Sequence, residues 1–319
     1  MKKNQFTSFC LILFLLSGCQ SNAAIPEPEL STSVPTVVST VMPESVAPHK
    51  TGPTTPVSPT YAPAVSAVLE VATPDSRLTP KYWREWPVVP TLSDRARAIL
   101  RNGIQMGNDI HSFARIGDCQ SEPPVFLGIY GTDRYKLPSK YPTLPETIEF
   151  FQPSFERVNV TARQGFGVSN VLSNLFSDPK MCQQGETPVD CELRRNKPIV
   201  AFIAMGTNWQ PNSSAKFELY LRQITDHLIK AGTLPIIVTK PDNIEGDWLL
   251  DRAMGQVAYD YDLPLVNVWR ALDYLPGHGL DKDLTYMVPA AWDERNLAAL
   301  RTLDLIRQEI TLLSENSQP

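Results

Sequence analysis

Between residues 90 and 310, short apolar runs alternate with stretches in which apolar residues recur every three or four positions. "KPIVAFIAM" (197–205) is a continuous apolar run of the kind used by strands buried on both faces. "SFARI" (112–116), "ERVNVTA" (156–162), "LPIIVT" (234–239) and "LPLVNVW" (263–269) read as four more strands. In "LSDRARAILRNGIQMG" (92–107) Ser93 can cap a helix, and Ala96, Ile99, Leu100 and Ile104 share one face. Phe217, Leu221, Ile224 and Leu228 mark a second helix, stopped at Gly232. "DWLLDRAMGQVAYDY" (247–261) and the segment through Leu297, Leu300, Leu303, Ile306 and Ile310 mark two more, and "LPETIEFF" and "VSNVLSNLF" are read as short helices. Strands alternating with helices predict βαβ units with right-handed crossovers. The expected fold is α/β: a three-layer α/β/α domain, residues 81–319, around a five-stranded, mostly parallel sheet.

The N-terminal end follows a different pattern. Lys2 and Lys3 precede an apolar run from Phe6 to Leu16 and then "LSGC", residues 16–19. A charged start and a short apolar core read as an export signal, residues 1–18, too short to span a bilayer as a mature helix. Residues 19–80 are rich in Pro, Ser, Thr and Val, with valines too scattered for a core. Proline fixes φ and removes donors, so this segment is expected to act as an extended, unpacked tether. At ~3.1 Å per residue, about sixty such residues reach at most roughly 190 Å.

Charge narrows the partners. A net charge of -5 and a pI near 5.5 argue against nucleic acid. Of the five cysteines, Cys10 falls in the export signal. Cys182 and Cys191 flank a polar loop and are expected to close a disulfide in an oxidising compartment; zinc is disfavoured, because no histidine lies near them. Cys119 is left as a free thiol.

Parallel sheets bind ligands outside the carboxyl ends of their strands. Gly117–Asp118–Cys119, the 163–167 segment and Gly206–Thr207–Asn208 each follow a predicted strand. They are expected to meet at one rim.

Two resemblances follow. "LSGC" resembles the bacterial lipobox, which implies cleavage before Cys19, a lipid on its sulfur, and a membrane-anchored protein of the cell envelope. The folded part, roughly residues 90–310, resembles the SGNH/GDSL hydrolases, esterases on a flavodoxin-like sheet. "IGDCQS" matches the Gly-Asp-Ser block with Cys119 at the nucleophile position. "RQGFG" matches the block whose glycine supplies an oxyanion-hole N–H, with Gly165 the better fit and Gly167 the alternate. "MGTNW" places Asn208 as the oxyanion-hole amide and Trp209 where an acid is usual. "GLDKDLTYM" places Asp283 at the acid position and Tyr286 where the catalytic histidine should stand. The resemblance implies no cofactor or metal, a monomeric domain, and a small ester or acylated polysaccharide as substrate.

The departures bear on the chemistry. A thiolate is a good nucleophile when its pKa is lowered. A phenol, with a pKa of roughly 10, is a poor general base at neutral pH. His278, in "LPGHGL", is the one candidate for a replacement base; His111 precedes the first strand, His227 lies on a helix and His49 in the tether. Each site residue also has a structural reading: Cys119 as a small packed residue, Asp118 as a turn cap, Asn208 as a loop fastener, Gly165 as a turn glycine, Asp283 as solvated charge and Tyr286 as rim packing. Trp83, Trp86 and Trp209 are read either as packing or as a surface for a sugar ring. The sequence therefore carries two expectations: an ester hydrolase impaired in hydrolysis, or a non-catalytic ligand- or glycan-binding module on the same fold.

Overall fold

The computed structural model describes residues 77–208 and 212–315. The expectations for the export signal, the lipid on Cys19, the tether before residue 77, His49 and Trp209 lie outside the described residues.

The elements in chain order are a 3₁₀ turn Pro80–Glu85, α1 (Asp94–Gln105), β1 (Asp109–Gly117), α2 (Leu144–Phe155), α3 (Pro188–Asn196), β2 (Pro198–Ala204), α4 (Ser214–Lys230), β3 (Leu234–Val238), α5 (Leu249–Tyr261), β4 (Leu265–Val266), α6 (Val268–Ala271) and α7 (Pro289–Glu315). The four strands form one parallel sheet in the order β1-β2-β3-β4. Phe113 pairs with Val200, Ile203 with Ile237 and Val238 with Val266.

Alternate strand residues face opposite layers. Phe113, Phe202, Ile236, Val238 and Val266 pack with α1, α2 and α7 through Leu100, Phe151, Phe155, Leu300 and Ile306. Ala114, Ile116, Ala201, Ile203 and Ile237 pack with α4 and α5 through Phe217, Leu221, Ile224, Met254 and Val257. Ser93 caps α1 as expected, accepting from the Ala96 amide, and Gly232 takes a positive φ just past α4.

Four strands among the described residues, not five, corrects the sequence reading. "ERVNVTA" contributes one parallel bridge, Ala162 to Gly117. The reason is local competition: the Val160 amide donates to the Glu192 carboxylate on α3, and the Asn159 side chain is held by Arg115 and Glu192. "LPLVNVW" shortens to two residues, because Asn267 donates its amide to Val88 and its side chain caps α6. "VSNVLSNLF" forms two 3₁₀ turns, Asn170–Leu172 and Asn174–Phe176, rather than an α-helix. Its Ser and Asn residues offer the backbone alternative partners. Helix α3, capped by Thr187, was not anticipated. Cys182 and Cys191 are disulfide-bonded, as expected. No helix among the described residues is long and apolar enough to cross a membrane.

Candidate functional site

The chain turns sharply where β1 ends. Asp118 is buried, and its carboxylate accepts from Gln120 N at 2.9 Å and from Thr207 N at 3.1 Å. One oxygen fixes the turn that carries Cys119; the other fastens the loop after β2. Burial pushes the Asp118 carboxyl up, and the hydrogen bonds from Gln120 and Thr207 oppose that. Gly117 donates to Thr161 O at 3.0 Å and accepts from Arg163 N at 3.2 Å, which ties in the 163–167 segment. Asn208 Nδ2 donates to Phe166 O at 2.8 Å and closes the circuit. The three segments expected at one rim therefore meet there. Thr285 and Met287 join them, lining a small pocket with Asp118, Gln120, Thr207, Lys240 and Arg295.

The individual residues divide. Cys119 is half-buried and opens a 3₁₀ turn of three residues, Cys119–Ser121. Its sulfur is not the free thiol expected, and its partner lies outside the described residues. Gly165 is exposed, with φ +81 and open space around it, whereas the Gly167 amide is committed to Asn170 Oδ1 at 2.7 Å. Asn208 is a loop fastener through its bond to Phe166, and an amide nitrogen has a second hydrogen to offer. Asp283 is exposed. The acid that organises its loop is Asp281, which accepts from the amides of Asp283, Thr285 and Tyr286. Tyr286 is half-buried at the rim, beside the pocket-lining Thr285 and Met287.

Each described histidine is engaged elsewhere. His278 Nε2 bonds Trp269 O at 2.6 Å and its ring lies 4.8 Å from that indole. His111 meets Phe150 O, and His227 meets Asp190. Trp83 and Trp86 serve packing. Trp83 is buried against Trp248 and Trp269, with the Arg84 guanidinium 4.6 to 5.3 Å from all three rings, while Trp86 is half-buried and packs against the α4/α5 side of the core.

Sequence reasoning missed the charges at the end of β3. Lys240 Nζ donates to Asp242 Oδ1 (2.5 Å), Asp242 O (3.0 Å) and Glu245 Oε2 (2.6 Å), and its own amide donates to Asp251 Oδ1 (3.0 Å). The Lys240 stem lies against Gly206, whose φ is +140 and where a Cβ would come within 2.8 Å of it. "TKPDNIEGD" carries no periodicity that distinguishes these charges from a solvated loop. Burial pushes Asp251 well above the usual carboxylate range, with the Lys240 charge opposing. Between its unfolded value, ~4, and that raised value, the folded state holds the proton more tightly, so stability falls as pH rises. Asp251→Asn keeps the acceptor for Lys240 N and removes the titration. Urea midpoints from pH 4 to 8 should fall less steeply with pH for the variant than for the native chain.

Comparison of the chain with family models, with curated proteins and with solved structures finds no match.

Proposed function

We propose that residues 81–319 are an SGNH/GDSL-type ester hydrolase domain impaired in hydrolysis, carried on a tether from a lipidated Cys19 in the cell envelope. One observation carries the reading: the Asp118 carboxylate joins the turn after β1 to the loop after β2, and Asn208 joins that loop to the 163–167 turn. With Cys119, Asn208 and the 163–167 turn on one rim, the arrangement supports reading them as the nucleophile position, the oxyanion-hole amide and the oxyanion-hole glycine turn. The segment bridged beyond β1 lies where the second strand of a 2-1-3-4-5 flavodoxin-like sheet would run. The substrate class this reading implies is a small ester or an acylated surface polysaccharide.

Acyl transfer of this type needs a nucleophile, a base that takes its proton and donors for the oxyanion. The described histidines are bonded elsewhere, so none of them is placed to take the nucleophile's proton. This favours the second reading, a pocket that holds a ligand or glycan without cleaving it. With p-nitrophenyl acetate, in reductant and without it, the native chain should stay within about tenfold of Cys119→Ala, as expected when the base is missing. Turnover in reductant far above that of Cys119→Ala would establish a working thiol esterase and overturn the impaired reading.

A further inference from the structure

Beneath the rim, the pocket lined by Asp118, Gln120, Thr207, Lys240, Thr285 and Arg295 has a volume of about 30 Å³. Its walls are charged, yet they balance. Lys240 is held by Asp242 and Glu245, and Arg295 stands opposite Asp118. Two groups in these walls lack a hydrogen-bond partner although they are buried: Gln120 Oε1 and Arg295 Nε. Arg295 is only 2% exposed. It donates Nη2 to Val125 O at 2.9 Å, and its guanidinium lies 4.6 Å from the Phe126 ring. Burial pushes Arg295 down to about 9, and the Asp118 charge opposes that.

The two unpartnered atoms are complementary. One accepts and the other donates, and the Asp118 carboxylate, with further lone pairs, lines the same pocket. Leaving each of them buried and unsatisfied is costly. The volume exceeds the roughly 10–15 Å³ a cavity needs to hold a water, and buried waters typically make about three hydrogen bonds. We infer that this pocket is a binding site for one ordered water, which accepts from Arg295 Nε and donates to Gln120 Oε1 and to the Asp118 carboxylate. The water links α7 to the turn that carries Cys119. An anion fits less well, because the Asp118 carboxylate and the Gln120 oxygen both present lone pairs to it.

Crystals of the full native chain, one set soaked in bromide, test this. The expected result is one solvent peak within hydrogen-bond distance of both Gln120 Oε1 and Arg295 Nε, with no anomalous bromide signal there. A direct Gln120–Arg295 bond, no peak, or a bromide peak at that position would each overturn the assignment. In solution, oxygen-17 relaxation dispersion should count one fewer long-lived water in Gln120→Met than in the native chain. An unchanged count in the folded variant would also overturn it. Should that variant not fold, the native crystals decide alone.

Discussion

Replacing Arg115 with methionine should unfold most of the protein or leave it weakly stable. Arg115 lies in the middle of the first apolar strand and is fully buried. All of its donors are used. Nε bonds Asn159 Oδ1 at 3.1 Å, Nη1 bonds Phe126 O and Phe155 O at 2.9 Å each, and Nη2 bonds Ser154 O at 3.0 Å and Arg157 O at 2.5 Å. Three of those carbonyls lie at or just past the C-terminal end of α2, where a helix has carbonyls without intrahelical partners and where a cation is favoured. Burial, with the neighbouring Arg157 adding to it, pushes Arg115 down to about 9 while Glu192 opposes, so the guanidinium stays charged at neutral pH. Methionine fills a similar space but orphans four backbone carbonyls and Asn159. At ~1–3 kcal/mol per buried unsatisfied group, with incomplete additivity, a loss of roughly 4 kcal/mol or more is expected. Total stabilities are ~5–15 kcal/mol. Urea unfolding followed by far-UV circular dichroism measures it. A midpoint close to the native one would show that the five bonds do not hold β1 to α2.

Arg115 also shows why only part of this fold was legible in the sequence. β2 and β3 were readable because "VAFIA" and "PIIV" are buried on both faces, and such strands declare themselves by unbroken apolarity. Arg115 interrupts β1 with a charge, and nothing local says that five oxygens from residues 126 to 159 surround it. The same gap explains the lost fifth strand. "ERVNVTA" has strand alternation, but Glu192, 32 residues beyond Val160, takes the amide that a ladder would have used. Long-range side-chain contacts overrode a local pattern in both cases.

The rim was legible for a different reason. Glycine and polar residues directly after an apolar strand must lie at its carboxyl end, so three such segments had to be neighbours once the sheet was parallel. What each side chain does there was not legible. Asp118 caps the turn, as the sequence suggests, but it also holds Thr207, 89 residues away. His278 lies on the correct side of the sheet by topology, yet its ring is turned onto Trp269. Lys240, Asp242 and Glu245 are unremarkable as loop charges, and Asp251 as a charge in the first turn of α5, because a sequence does not reveal whether a charge near a strand end is paired inward or solvated.

Gly117 carries the second large effect. It precedes Asp118 in the turn that resembles the hydrolase block, and its φ is not among the positive ones. The requirement for glycine is space. A Cβ there would lie 2.0 Å from Ser121 Oγ, 2.3 Å from Ala204 O and 2.4 Å from Ser121 Cβ. Ser121 Oγ donates to that same Ala204 carbonyl at 2.7 Å, so the 3₁₀ turn folds back over β2 through the volume a methyl group would need. Alanine must therefore push β1 from β2 or expel the turn carrying Cys119, and either movement strains the Asp118–Thr207 bond. Overpacking costs typically about 1–3 kcal/mol when side chains can yield. Here a backbone carbonyl is in the way, so Gly117→Ala should lose roughly 3 kcal/mol or more. Gly165→Ala is the control: φ is +81 but no atom lies within 4 Å, so strain alone acts and the loss should be near ~1 kcal/mol. Adding Ser121→Gly to Gly117→Ala should recover only part of the loss, because the Ala204 carbonyl remains. Equal urea midpoints for Gly117→Ala and Gly165→Ala would refute the packing account and return Gly117 to the role of an ordinary turn residue.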